Sequence, residues 1–140
     1  MKYLLKHAHL VVDGNREFLD GSLLIEDDVI KDVLAQSNKL DDYDDYEVID
    51  LNGSLVMPGF FDTHLHGIKG ISFDTANKKE LDEATYLLAI SGTTSFIPSL
   101  SYDCDTADFP KRFELFNDYK GEYCRFEGLH IEGPFISANS

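Results

Sequence analysis

The sequence predicts a two-part α/β chain: a small antiparallel β module, then parallel strands alternating with helices. Three observations carry this expectation. Short β-prone runs separated by turn residues fill the chain as far as Pro58. Beyond Pro58, strand-like runs alternate with segments whose apolar residues recur at helical spacing. Strands joined through helices run parallel, with right-handed crossovers. The boundary divides the 140 residues into 1–57 and 58–140.

In the first part, residues 3–12 form a β-prone run closed by Asp13-Gly14-Asn15. Residues 22–25 follow, and after Glu26-Asp27-Asp28 come residues 29–34. Residues 47–51 and 54–57 flank Asn52-Gly53, the dipeptide that type I′ hairpin turns favour, so these two runs are expected to form a hairpin. The module is thin for a sandwich that buries both faces.

In the second part, residues 60–66 are the first strand. Asn77 with Glu80 three residues on reads as a capping box, and Leu81, Ala84, Leu87 and Leu88 line one face of the helix that follows. Gly92 stands where glycine closes helices. Residues 93–97 are the second strand, stopped by Pro98. A second helix is expected to start around residues 106–108, with Pro110 in its first turn, Phe109, Phe113 and Phe116 buried, and Gly121 at its end. Residues 125–131 are the third strand, with Glu132 at its C-terminal end.

Composition narrows the partners. A net charge of −14 argues against a nucleic-acid backbone as ligand. Much of the acidity is local, in Asp41, Asp42, Asp44, Asp45 and Glu47. A calcium or partner site is one reading, but the EF-hand order of acidic residues, glycine and distal glutamate is absent, which favours a solvated loop. Hydrophobic content of 43% is too high for disorder. Cys104 and Cys124 are too few for a disulfide framework and read as free thiols of a reducing compartment. The first residues, with Lys2 and Lys6 inside the apolar stretch, do not resemble a signal peptide, and no apolar run approaches the ~20 residues of a membrane span. A cytoplasmic protein with neither nucleic-acid nor membrane partners is expected.

His64-Leu65-His66 carries the chemistry. Residues two apart on a strand share a face, so both imidazoles project side by side from a strand end, a geometry suited to a divalent ion. Gly67 and Gly70 follow, leaving a loop where a ligand could approach the backbone. Zinc-like ions usually take three protein ligands plus an open position. Glu132 in Leu129-His130-Ile131-Glu132-Gly133-Pro134-Phe135 is the best third candidate. It ends the third strand as His64 and His66 end the first, and α/β active sites occupy that carboxyl edge. The alternatives are hydrogen-bonded core histidines and a solvated carboxylate. His130 shares the face of Glu132 and reads as structural or supporting; Asp62 could tether the strand; His7 and His9 read as ordinary strand residues.

The run from Pro58 to Gly67 resembles the first-strand signature of the amidohydrolase superfamily of metal-dependent hydrolases. Gly92-Thr93-Thr94-Ser95-Phe96-Ile97-Pro98-Ser99-Leu100 and the Glu132 segment resemble, within it, the N-acetylglucosamine-6-phosphate deacetylase family. The resemblance implies a partial (β/α)8 barrel, its first three strand–helix units preceded by a small antiparallel β-sandwich half-domain. It implies one or two divalent ions, zinc or iron, held by Glu132 and by His64 and His66. It implies an amino-sugar phosphate substrate, deacetylated to the free amine and acetate, and a homodimer in the intact enzyme. The family's two later histidine ligands and its general-base aspartate have no counterpart in these residues. A (β/α)8 barrel takes about 250 residues, so the chain is expected to be an inactive N-terminal portion with an unpaired edge prone to association. A dihydroorotase-like or deaminase activity is the alternative; dihydroorotase-like chains usually carry an arginine soon after the histidine pair, where Gly67-Ile68-Lys69-Gly70 stands here.

Overall fold

The computed structural model describes residues 1–37, 43–101, 109–133 and 137. It is a mixed α/β structure with several sheets, and no closed barrel forms among the described residues. The chain divides into two compact units, Met1–Pro58 and Gly59–Ser140.

The first unit is a single sheet of β1 (Lys2–Asp13), β2 (Arg16–Glu26), β3 (Val29–Leu34), β4 (Glu47–Asp50) and β5 (Leu55–Val56), in the order β3-β2-β1-β4, with β5 also on β1. The pairs β1/β2 and β2/β3 are antiparallel as expected. The expected hairpin at Asn52-Gly53 is not formed: β4 and β5 both lie parallel to β1, in succession along it. Both residues do take positive φ, 49° and 78°. The turn instead sidesteps against β1, with the Gly53 N–H on the His7 carbonyl at 2.7 Å and the His9 N–H on the Ser54 carbonyl at 3.0 Å. The physical reason is length, since the twelve-residue β1 offers a ladder to both short strands. The module is therefore mixed, not antiparallel. Ala8, Leu10 and Leu23 centre its core.

In the second unit, β9 (Thr93–Ser101) is the central strand. Parallel to it run β6 (Phe60–Leu65) on one side and β10 (Arg125–Phe126) and β11 (His130–Glu132) on the other. Between them in sequence lie a small hairpin of β7 (Gly67–Ile68) and β8 (Ile71–Ser72), and the helices α1 (Lys78–Ile90) and α2 (Phe109–Asn117). Phe73, Leu81, Ala84, Leu88, Phe96, Leu100 and Phe116 form the core.

Helix α1 follows its sequence signals. Asn77 Oδ1 accepts the Glu80 N–H at 3.1 Å and Glu80 Oε2 accepts the Asn77 N–H at 2.8 Å, closing the capping box. The buried face is Leu81, Ala84, Thr85 and Leu88, with Leu87 only half-buried. Four expectations are corrected. The second strand does not stop at Pro98 but runs on to Ser101. Proline lacks an N–H, and Pro98 falls in the interval between the β10 pairing at Phe96 and the β11 pairing at Ser99, where no partner needs one. The third strand is not continuous but splits into β10 and β11. On α2 only Phe116 of the three expected phenylalanines is buried; Phe113 is 46% exposed and packs on half-buried Phe109 with ring centroids 5.7 Å apart. Helix α2 ends at Asn117, so Gly121 (φ 82°) belongs to the turn beyond it. The expected start of that helix at residues 106–108 lies outside the described residues. Among those described, no helix is long and apolar enough to cross a membrane.

Candidate metal centre

Strand β6 delivers its histidines where it stops: His64 is its penultimate residue and His66 follows the last one. Their Nε2 atoms stand 3.2 Å apart. Glu132 ends β11 and brings Oε2 to 2.8 Å from His66 Nε2 and 3.5 Å from His64 Nε2. Among the described residues this trio is the one cluster of histidine, cysteine and acidic side chains whose ligand atoms could share an ion, all lying within 4.8 Å of one another. The side chains are 54%, 42% and 41% exposed, so the mouth is open to solvent.

A register shift turns Glu132 towards the histidines. Phe126 pairs with Phe96 and His130 with Ser99, so the third strand spends four residues where β9 spends three. That extra residue is a bulge across positions 127–129. Phe126 stacks on Phe116 and meets Phe96 on the core side. Beyond the bulge, His130 and Glu132 instead share the face of Ser99 and Ser101. An unbulged strand would have placed Glu132 with Phe126.

The serines of β9 support the rings. Ser101 Oγ lies 3.2 Å from His66 Nδ1, and Ser99 Oγ lies 3.0 Å from His130 Nδ1. The Ser101 N–H donates to Asp74 Oδ1 at 2.8 Å. His130 packs its ring against His64 with centroids 4.9 Å apart. Asp62 Oδ1 accepts the His64 N–H at 3.1 Å, a local tether. Gly67 serves close packing: a Cβ there would meet the Ile71 carbonyl oxygen at 2.0 Å.

The donor set fits a divalent ion. Ligand atoms bonded at about 2.1 Å around a tetrahedral ion stand about 3.4 Å apart, and the separations here are 2.8, 3.2 and 3.5 Å. Two imidazole nitrogens and one carboxylate oxygen suit zinc or iron. His66 Nε2 faces Glu132 Oε2 at 2.8 Å while its Nδ1 faces Ser101 Oγ at 3.2 Å, so in the tautomer with the proton on Nδ1 the Nε2 lone pair would be free for an ion.

The remaining candidates are not members of this cluster. His7 Nδ1 meets Asp50 Oδ2 at 3.0 Å, and His9 Nε2 pairs with Glu17. In the acidic run, Asp45 Oδ2 accepts from Lys2 Nζ at 2.6 Å, whereas Asp41 and Asp42 lie outside the described residues. Cys124 is a buried free thiol, and Cys104 lies outside the described residues. Sequence reasoning missed Ser99, Ser101 and Asp74. The spacing of Ser99 and Ser101, two apart at the end of the second strand like the histidines of the first, was the available signal.

No protein-family model matches the chain. The N-acetylglucosamine-6-phosphate deacetylase of Caenorhabditis elegans is 31% identical over 143 residues, covering 96% of this chain and 31% of that protein. The crystal structure of N-acetylglucosamine-6-phosphate deacetylase from Pasteurella multocida superposes with a TM-score of 0.84 at 25% identity, covering 99% of this chain and 36% of that one. A dihydroorotase of Elusimicrobium minutum is 41% identical over 68 residues, 47% of this chain and 14% of that protein. The chain spans about a third of the length of the deacetylases it matches. In sequence and in fold, over that third, it is similar to the N-acetylglucosamine-6-phosphate deacetylases, a family of amidohydrolases.

Proposed function

We propose that this chain provides part of the active site of a metal-dependent hydrolase that deacetylates N-acetylglucosamine 6-phosphate, with His64, His66 and Glu132 as metal ligands. The observation carrying this reading is the meeting of three donor atoms from two strands at the carboxyl edge of one parallel sheet. The likeness to deacetylases over nearly the whole chain supplies the substrate class. On this reading β6, β9 and the β10–β11 strand are the first parallel strands of a (β/α)8 barrel, and residues 1–57 are part of a flanking β domain.

Held by His64, His66 and Glu132, a divalent ion would supply Lewis acidity toward an acetamide carbonyl and a water molecule. The chain's own residues prepare for it. His64 and His66 would offer their Nε2 atoms, Glu132 would offer a carboxylate oxygen, and the solvent-open mouth would admit substrate. The family's general-base aspartate has no counterpart carried over to these residues. The isolated 140 residues are therefore proposed to bind metal without turning substrate over.

Zinc titration against a competing chromophoric chelator tests the ligand set. The chain should bind zinc, and His64→Ala and Glu132→Ala should each weaken binding by at least tenfold; equal affinity in all three proteins would refute it. Acetate release from N-acetylglucosamine 6-phosphate by the isolated chain would refute its proposed inactivity. The local likeness to a dihydroorotase favours a second reading, a dihydroorotase-like enzyme on the same ligands. A substrate panel on the full-length protein separates the two.

A further inference from the structure

We propose that Ser101 is a positioning residue that fixes the tautomer and orientation of His66, within a closed ring of bonds that joins β9 to the hairpin after β6. The inference rests on the metal-binding reading above and names what holds one of its ligands.

The ring has four members. The Phe73 N–H donates to the His66 carbonyl at 2.9 Å, tying the hairpin's exit to its entry. Asp74, next in sequence, accepts the Ser101 N–H through Oδ1 at 2.8 Å. Ser101 Oγ reaches back to His66 Nδ1 at 3.2 Å, closing the circuit. Phe73 anchors it, being fully buried in the core. His66 is thus held by its backbone through Phe73 and by its ring through Ser101, while Asp74 fixes the strand end that carries Ser101.

The chemical consequence follows from the imidazole. A neutral ring carries one N–H, and the hydrogen bond at one nitrogen decides which nitrogen keeps its lone pair. With Nδ1–H donated to the Ser101 hydroxyl oxygen, Nε2 is left as the electron-pair donor, and Nε2 is the atom facing Glu132 at 2.8 Å. Groups that orient a metal-ligating histidine in this way typically contribute 10- to 100-fold in metal affinity.

The experiment uses the purified chain with Ser101→Ala, Ser101→Thr, and Ser95→Ala as a control at the other end of β9, where the Ser95 hydroxyl meets Glu127. Two quantities are read: the His66 tautomer in the metal-free protein by long-range proton–nitrogen NMR, in a Glu132→Ala background that removes the competing carboxylate 2.8 Å from Nε2, and zinc affinity by chelator competition with Glu132 intact. Ser101→Ala should weaken zinc binding about 10- to 100-fold and turn His66 from the Nδ1–H form to a tautomer mixture, with unchanged thermal unfolding. Ser101→Thr, which keeps the hydroxyl, should restore both, and Ser95→Ala should move neither. An unchanged His66 tautomer in Ser101→Ala overturns the proposal, as does weakened binding that Ser101→Thr fails to rescue. A wild-type chain that binds no zinc refutes the metal-binding reading, yet the tautomer comparison still decides whether Ser101 sets the ring.

Discussion

Replacing Gly67 by alanine tests whether the small hairpin after β6 positions His66. A Cβ at Gly67 would lie 2.0 Å from the Ile71 carbonyl oxygen and 3.0 Å from both the Ile71 carbonyl carbon and the Ser72 Cα. All three are backbone atoms, so no side-chain rotation relieves the clash. Ordinary contact begins at 3.4 Å, so the two strands must part by about 1.4 Å or the residue must twist, and either disrupts the Gly67–Ser72 pairing. A catalytic constellation tolerates displacements of about 0.5 Å. His66 is the adjacent residue, and its carbonyl is bound to Phe73 across the same hairpin. The expected outcome is about 1–3 kcal/mol of lost stability together with roughly 10- to 100-fold weaker zinc binding, read by thermal unfolding and chelator competition. Gly70→Ala is the internal control: nothing lies within 4 Å of its Cβ, but its φ of +89° strains any other residue. That variant should lose about 1–2 kcal/mol and keep its zinc affinity. Wild-type affinity in Gly67→Ala would refute the argument that this hairpin sets the ligand.

Asn77→Ala should cost about 1 kcal/mol in urea unfolding by opening the α1 capping box, without effect on zinc affinity. Burial, with a hydrogen bond from its hydroxyl to Asp82 Oδ1 at 3.1 Å, pushes the Tyr119 phenol up from 10.0 to about 12. One tyrosine should therefore ionise last in an absorbance titration, and Tyr119→Phe should remove that phase. Because the folded-state value is raised, the stability Tyr119 contributes is whole below pH 10.0 and is lost as the pH climbs to about 12. Burial, and secondarily the Asp62 charge, raises the Cys124 thiol to about 11. In a Cys104→Ser background, a disulfide reagent at about pH 8 should react only after denaturant unfolds the chain; rapid reaction of the native protein would contradict this.

Features whose partners lie close in sequence were legible. The α1 cap needs only Asn77 and Glu80, three residues apart, and the histidine pair needs only the alternation of one strand. Asn52-Gly53 shows the limit of such signals. Its positive φ values were readable, but whether the strand after it pairs with the one before or with the distant β1 is decided by which ladder is available. Pro98 misleads for a similar reason: a missing N–H ends a strand only where a neighbour requires it, and the neighbours are set by tertiary pairing. The bond between Ser101 and Asp74 was invisible because 27 residues separate its partners.

The ligand trio depends on matching irregularities on both flanks of β9. On one side, β6 spends three residues from Asp62 to Leu65 while β9 spends two from Phe96 to Pro98. On the other, the third strand spends four residues from Phe126 to His130 against three. Past Asp62 and past Phe126 each flanking strand thus carries one extra residue, which reverses the inward and outward alternation beyond it, whereas the earlier shift between Phe60 and Phe61 puts the extra residue in β9. Before the shifts, Phe126 faces the core, and Asp62 stands near enough to buried Cys124 to raise its thiol pKa. After them, Leu65 and Ile131 take over the packing, which leaves His64, His66, His130 and Glu132 for the face of Ser99 and Ser101. The same strands can therefore set Leu65, Phe126 and Ile131 against the apolar core and still present polar ligands at their ends. A shift on one flank alone would leave the carboxylate and the imidazoles on opposite faces of the sheet, so the two bulges act together as the structural origin of the site.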